Sequence, residues 1–229
     1  DIDGLVHDGY YFVLHAPRQS GKTTTVMALA DKLRADGRYA VVFCSVENGR
    51  SAQTEAAVVG CVVGNLAAEA ELQLPPSDRP DAETENQSAD TARRLWRFLT
   101  AWCQKSPRPV VLFIDEIDCL QDDGLISVLS QVRMGYANRP KAFPHSICIF
   151  GMRDVRDYKV ASGGTPNLGT SSPFNIKRKS VTLETFTRPE VAALYGQHTT
   201  ATGQAFTDAA IDRALHWTGG QPHLVNALA

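Results

Sequence analysis

The sequence holds no apolar run long enough to cross a membrane and no secretory leader pattern. A cytoplasmic protein with no membrane contact is therefore expected. Neither sign of charge is in excess: 23 Lys and Arg against 25 Asp and Glu give a net charge of −2. That excludes nucleic-acid binding through bulk charge and leaves only a local basic patch for it. Cysteine is sparse, odd in number and scattered, at Cys44, Cys61, Cys103, Cys119 and Cys148, with no C-x-x-C spacing. A zinc site is not expected, and Cys44 and Cys148, inside apolar runs, read as buried reduced thiols. No internal repeat is present. What remains is a chain of 229 residues, 43% apolar and 21% charged, enough for one sizeable core and a small second domain. It lacks a start methionine and ends inside a helical pattern, Leu224 to Ala229, so a fragment of a longer protein is expected.

Apolar runs rich in β-branched and aromatic residues predict strands at Tyr11–His15, Ala40–Val46, Val110–Ile114, Ser146–Gly151 and Ser180–Leu183. The first four are nearly continuous, as in strands covered on both faces. Helical patterns between them span Thr23–Asp36, Ala52–Leu74, Thr91–Lys105 and Leu125–Met134. This alternation predicts a doubly wound parallel α/β sheet of five strands. Two stretches break the rhythm. Pro75–Asp90, with its prolines and acids, reads as a mobile surface loop, and Tyr158–Asn175 as a second long loop. After Phe186 the pattern is all-helical. A capping box opens at Thr187-Arg188-Pro189-Glu190, a second helix covers about Asp208–Thr218, and a third starts at Pro222. The expected division is a core over 1–186 and a helical lid over 187–229.

Four motifs carry chemistry. Between the first strand and first long helix stands Ala16-Pro17-Arg18-Gln19-Ser20-Gly21-Lys22-Thr23-Thr24. It follows the pattern G-x-x-x-x-G-K-S/T with Ala16 in place of the first glycine. Such a loop turns backbone N–H groups toward phosphate oxygens, its lysine reaches the outer phosphates, and the next hydroxyl reaches magnesium. The helix adds its positive end. A bland loop is the competing reading, and the strand–loop–helix context disfavours it. The second motif is Val110-Val111-Leu112-Phe113-Ile114-Asp115-Glu116, an apolar strand that delivers two carboxylates to the sheet's carboxyl edge. Asp115 would position the metal and Glu116 would polarise an attacking water. The alternative is that the pair merely caps the next turn, and Glu47 is the next acid in line for the base role. Third, the strand Ile147–Gly151 leads to Arg153, suited to sensing a γ-phosphate. The alternative is a surface pair with Asp154 or Asp157, and Arg156 competes weakly for the role. Fourth, Thr218-Gly219-Gly220-Gln221-Pro222-His223 allows a tight reversal into a helix, or is an ordinary helix–helix turn.

Taken together, YFVLHAPRQSGKTT, VVLFIDEID, IFGMRDVRDY, SPFNIKRKS and TGGQPHLVNALA resemble P-loop ATPases of the AAA+ and STAND superfamilies, nearest the bacterial AAA-like domain proteins. The likeness covers the chain almost end to end. It implies ATP and Mg²⁺ as cofactors, with HAPRQSGKTT as Walker A and LFIDE as Walker B. It implies Arg153 as sensor 1 and Pro222 against the adenine. Relatives of this kind often complete their site with an arginine from a neighbouring subunit, for which Arg139 and Arg178 are candidates. The expected activity is hydrolysis of ATP to ADP and phosphate. The rivals are a slow STAND-type switch, a small-molecule kinase and a DNA-associated ATPase. DNA or a protein effector could be engaged through regions absent here.

Overall fold

The structure, a computed structural model, describes residues 2–15, 19–81, 90–120, 122–151 and 179–229. Its regular elements run α1 (Ile2–His7), β1 (Tyr11–His15), α2 (Lys22–Ala35), β2 (Ala40–Ser45), α3 (Glu55–Gln73) and α4 (Thr91–Lys105). They continue as β3 (Val110–Asp115), α5 (Asp122–Gly135), β4 (Ser146–Gly151), β5 (Lys179–Thr182), α6 (Arg188–Thr202), α7 (Asp208–Thr218) and α8 (Pro222–Ala227). By contacts the chain divides into two compact units, Asp1–His15 with Thr23–Val181, and Ala16–Lys22 with Thr182–Ala229.

In the first unit, a five-stranded parallel sheet has the order β2-β3-β4-β1-β5. Every residue of β3 and β4 is buried, which is why their sequences show no alternation. Register places Ser45 beside Asp115 and His15 beside Gly151. The last residues of β1 to β4 thus share the carboxyl edge. One set of strand residues, among them Tyr11, Val42, Leu112, Ile114 and Ile149, forms a single core with Val62, Leu66, Phe98, Trp102 and Leu129 of α3, α4 and α5. The alternate set, including Phe12, Leu14, Val41 and Cys148, is buried as well, with Phe113 and Phe150 rings 6.1 Å apart. Helix α4 forms where expected. Asp90 caps it by accepting the Ala92 N–H at 3.2 Å, and the stripe Leu95, Phe98, Leu99, Trp102 is buried. Each such side chain stabilises by about 1.5–3 kcal/mol.

Two expectations need correction. Helix α3 begins at Glu55, not Ala52, because a 3₁₀ turn occupies Glu47–Ser51 and the Thr54 hydroxyl caps the helix by accepting the Ala57 N–H at 3.2 Å. The Pro75–Asp90 stretch is not simply a mobile loop. Asp78 is 1% exposed, accepts from Arg108 Nη2 at 2.6 Å and Nε at 3.2 Å, and its carbonyl accepts the Trp102 indole N–H at 2.6 Å. Proline and acid content marked this segment as solvated, but a buried carboxylate with a guanidinium partner anchors it. Residues 82–89, and the second loop at 158–175, lie outside the described residues.

The second unit holds three helices around Val191, Tyr195, Ile211, Ala214 and Val225. The Glu190 carboxylate accepts both the N–H and the hydroxyl of Thr187, each at 2.7 Å, which fixes the start of α6 and lowers the pKa of Glu190. Helix α7 ends at Gly219, whose φ is 59°, and Pro222 opens α8. Among the described residues, no helix is long and apolar enough to cross a membrane.

Candidate functional site

The Gln19–Lys22 segment has the backbone of an anion cradle. Gln19 and Gly21 both take positive φ, 59° and 80°, and alternation of hand over successive residues is what turns neighbouring N–H groups to one side. A Cβ on Gly21 would meet nothing within 4 Å, so space stands open beside it. The Ser20 hydroxyl is buried and has no hydrogen-bond partner among the described residues, which marks it as a group awaiting one. Lys22 is the first residue of α2, and the first turn of that helix carries no acidic side chain. Its positive end is therefore not neutralised by a side chain of the helix's own first turn. Ala16, Pro17 and Arg18 lie outside the described residues.

At the carboxyl edge of the sheet, the Thr23 hydroxyl donates to Asp115 Oδ2 at 2.9 Å. Asp115 Oδ1 accepts the Glu116 N–H at 2.8 Å, and the residue is 7% exposed. The start of α2 and the end of β3, 92 residues apart in the chain, thus meet through one hydrogen bond. Because Thr23 gives its proton to Asp115, its lone pairs are free for a cation. Among the described residues no group of three or more His, Cys, Asp or Glu could hold a metal. A Thr–Asp pair suits a magnesium ion that takes most of its ligands from phosphate and water. The residues present fit Mg-nucleotide. Thr24 is exposed in the same turn of α2.

Glu116 follows in the left-handed region, φ 58° and ψ 35°, a costly conformation for a side-chain-bearing residue. Its Oε2 accepts from the Cys119 thiol at 3.5 Å, and Arg50 Nη2 donates to Cys119 Sγ at 3.1 Å. Glu47 is exposed and pairs with Arg50 at 3.9 Å. Sequence reasoning missed Arg50 and Cys119. Only the position of Arg50, just past the end of β2, placed it near this edge. The five cysteines are free thiols, and all lie above their usual range. Burial pushes Cys44 up to about 12, and burial with the Asp115 charge behind it pushes Cys148 well above. Neutral thiols are poor nucleophiles.

Arg139, one of the two candidates for a trans-acting arginine, is engaged within its own chain. Its Nη1 donates to the Gly9 carbonyl, its Nε donates to the Tyr136 carbonyl at 2.7 Å, and its guanidinium lies 3.5 Å over the Tyr136 ring and 4.9 Å over that of Tyr11. Gly9 precedes β1, so Arg139 staples the amino edge of the sheet, with two of its five N–H donors used in these bonds. Arg178 and Arg153 lie outside the described residues. In the second unit, Gly220 has φ 75°, its N–H donates to Thr218 Oγ1 at 3.1 Å, and its carbonyl accepts the Phe186 N–H at 2.7 Å. These bonds fix the turn that presents Pro222.

Comparisons with known proteins agree with this fold. Similar solved structures include the Walker-type ATPase PABY2304 of Pyrococcus abyssi, with TM-score 0.68, 12% identity and coverage of 98% of this chain and 63% of that one. Cdc6p of Pyrobaculum aerophilum matches with TM-score 0.55 and 16% identity over 88% of this chain and 46% of that one. A DNA replication initiation factor matches with TM-score 0.57 and 13% identity over 99% of this chain and 56% of that one. The chain spans less than two thirds of each of these structures. At such identities the likeness establishes the P-loop ATPase fold. No curated protein sequence matches. The family model described as nephrocystin 3, N-terminal matches residues 6–143, a span that contains Lys22, Thr23, Asp115 and Glu116. The family match gives no support to the bacterial AAA-like group as the nearest relative, while the broader likeness to P-loop ATPases holds. With more than half of its length matched, the chain belongs to the nephrocystin 3 N-terminal family.

Proposed function

We propose that this chain is an ATP-binding module that hydrolyses ATP to ADP and phosphate with magnesium. The observation that carries the reading is the Thr23–Asp115 hydrogen bond of 2.9 Å, which joins the phosphate-loop helix to the carboxylate strand. The backbone of Ala16 to Gly21 would hold phosphate oxygens, and Lys22 would balance the charge of the outer phosphates. Thr23 and Asp115 would hold the metal, which supplies Lewis-acid stabilisation when bound. Glu116 takes the role of orienting and polarising the attacking water, and Arg153 that of contacting the γ-phosphate. Thr24 would add a hydroxyl to the phosphate cradle, and Pro222 would lie against the adenine. The reading divides the chain into an ATPase core over 1–186 and a lid over 187–229, and it places the protein in the cytoplasm. Self-association through an arginine finger, Arg139 or Arg178, belongs to the same proposal.

Two variants test it. Lys22→Ala should weaken Mg-ATP binding by about 10- to 150-fold, the worth of a charge-assisted contact of about 1.5–3 kcal/mol, with an unchanged circular dichroism spectrum. Glu116→Gln should bind Mg-ATP like the wild type in calorimetry and hydrolyse it about 10²- to 10⁴-fold more slowly. Wild-type affinity in Lys22→Ala would sink the phosphate-loop assignment. Normal turnover in Glu116→Gln would move the base elsewhere, with Glu47 next in line.

A further inference from the structure

We infer that Cys119 and Arg50 form a positioning relay for Glu116, in which the thiol holds the carboxylate and the guanidinium holds the thiol. The inference rests on the proposed role of Glu116 in hydrolysis. Glu116 sits in the left-handed region, where the strain of about 1–2 kcal/mol favours a flip of the backbone. A 3₁₀ turn over Ile117–Cys119 closes on it twice. The Cys119 N–H donates to the Glu116 carbonyl at 2.9 Å, and the Cys119 thiol donates to Glu116 Oε2 at 3.5 Å. Backbone and side chain of the strained residue are thus tied to one neighbour.

The relay continues outward. Arg50 Nη2 donates to Cys119 Sγ at 3.1 Å, while its ion pair with Glu47 is long, at 3.9 Å, and its side chain is 58% exposed. The sulfur is therefore the closer of its two contacts. A cation on the sulfur polarises the S–H bond and strengthens its donation to the carboxylate. Cys119 is 6% exposed, and burial raises its pKa, so the thiol keeps the proton it must donate. A thiol is a weak donor. It fixes the direction of the carboxylate while leaving its other lone pairs for water. A residue set to polarise water needs this combination of fixed aim and open lone pairs. Arg50 and Cys119 touch no reacting atom and act through Glu116.

The test compares Cys119→Ala, Cys119→Ser, Arg50→Ala, Arg50→Lys and Glu116→Gln in the full chain. Cys119→Ala and Arg50→Ala should lower kcat for ATP about fivefold, the effect of one lost hydrogen bond, with KM and the Kd for ADP unchanged. Cys119→Ser should restore turnover, since a hydroxyl also donates, and Arg50→Lys should restore part of it. A second readout needs no nucleotide. The S–H infrared band of Cys119, isolated as the wild-type minus Cys119→Ser difference, should move to higher frequency in both Glu116→Gln and Arg50→Ala. Wild-type kcat in Cys119→Ala, or equal loss in Cys119→Ser and Cys119→Ala, would overturn the relay. So would a band that neither Glu116→Gln nor Arg50→Ala moves. Unimpaired turnover in Glu116→Gln would instead overturn the role of Glu116, and the band would then decide whether the contact exists.

Discussion

The turn that leads into Pro222 offers the sharpest test of how the second unit is held. Gly219 and Gly220 both have positive φ, 59° and 75°, but their surroundings differ. A Cβ on Gly219 would meet nothing within 4 Å, whereas one on Gly220 would overlap the Phe186 carbonyl oxygen and lie 3.1 Å from the Phe186 carbonyl carbon and nitrogen. Gly219→Ala therefore incurs only the left-handed backbone penalty, partly offset by the stiffer unfolded chain, for a net loss of about 1 kcal/mol. Gly220→Ala adds an overlap with backbone that no rotamer relieves, about 1–3 kcal/mol. It also disturbs the 2.7 Å Phe186 N–H···O=C Gly220 hydrogen bond, worth about 0.5–1.5 kcal/mol net. The total is about 3–5 kcal/mol, comparable with what a core as small as Val191, Tyr195, Ile211, Ala214 and Val225 can supply. Hydrogen exchange read by mass spectrometry over residues 188–227 should show lost protection across all three helices in Gly220→Ala. Gly219→Ala should show a small change near the turn. Equal protection in the two variants would refute the steric reasoning.

Three further outcomes are expected. Asp78→Ala should destabilise the chain by about 3 kcal/mol, the low end for breaking a buried pair because Arg108 keeps some solvent, and urea unfolding measures it. Burial first, with the charges of Arg139 and His7, lowers the pKa of His145. The folded state therefore holds fewer protons than the unfolded one below the ordinary histidine range. Stability should fall as pH drops through about 6.5, and a His145→Gln variant should lose stability less steeply between pH 7.5 and 5.5 in urea titrations. Arg139→Ala should lose about 2 kcal/mol from its hydrogen bonds and cation–π contacts, read by urea unfolding. An ATPase rate that rises with protein concentration in the wild type but not in this folded variant would single out Arg139, rather than Arg178, as the trans-acting arginine.

Much of the fold was legible because parallel strands buried on both faces leave continuous apolar runs that little else imitates. β1 and β4 match their expected bounds, and β2, β3 and β5 differ by one residue at one or both ends. Helix α4 is matched for a related reason, since its apolar stripe and Asp90 cap are both local signals. The phosphate loop and the Asp115-Glu116 pair were legible as spacing, and the Thr23–Asp115 contact now joins their neighbourhoods. What misled was composition. Pro75–Asp90 looked solvated, yet Asp78 is buried because a partner 30 residues away supplies its counter-charge.

The sequence by itself determined the order of elements, the parallel sheet and the two motifs at its carboxyl edge. Each depends on periodicity or spacing within a few residues. Tertiary structure alone decided which side chains complete one another. It spends Arg139 on Gly9, Tyr136 and Tyr11 at the amino edge, and it brings Arg50 to a thiol 69 residues away beside Glu116. A charged side chain acts through whatever lies within a few ångströms of its tip, and only the register of strands and the packing of turns fix that neighbour.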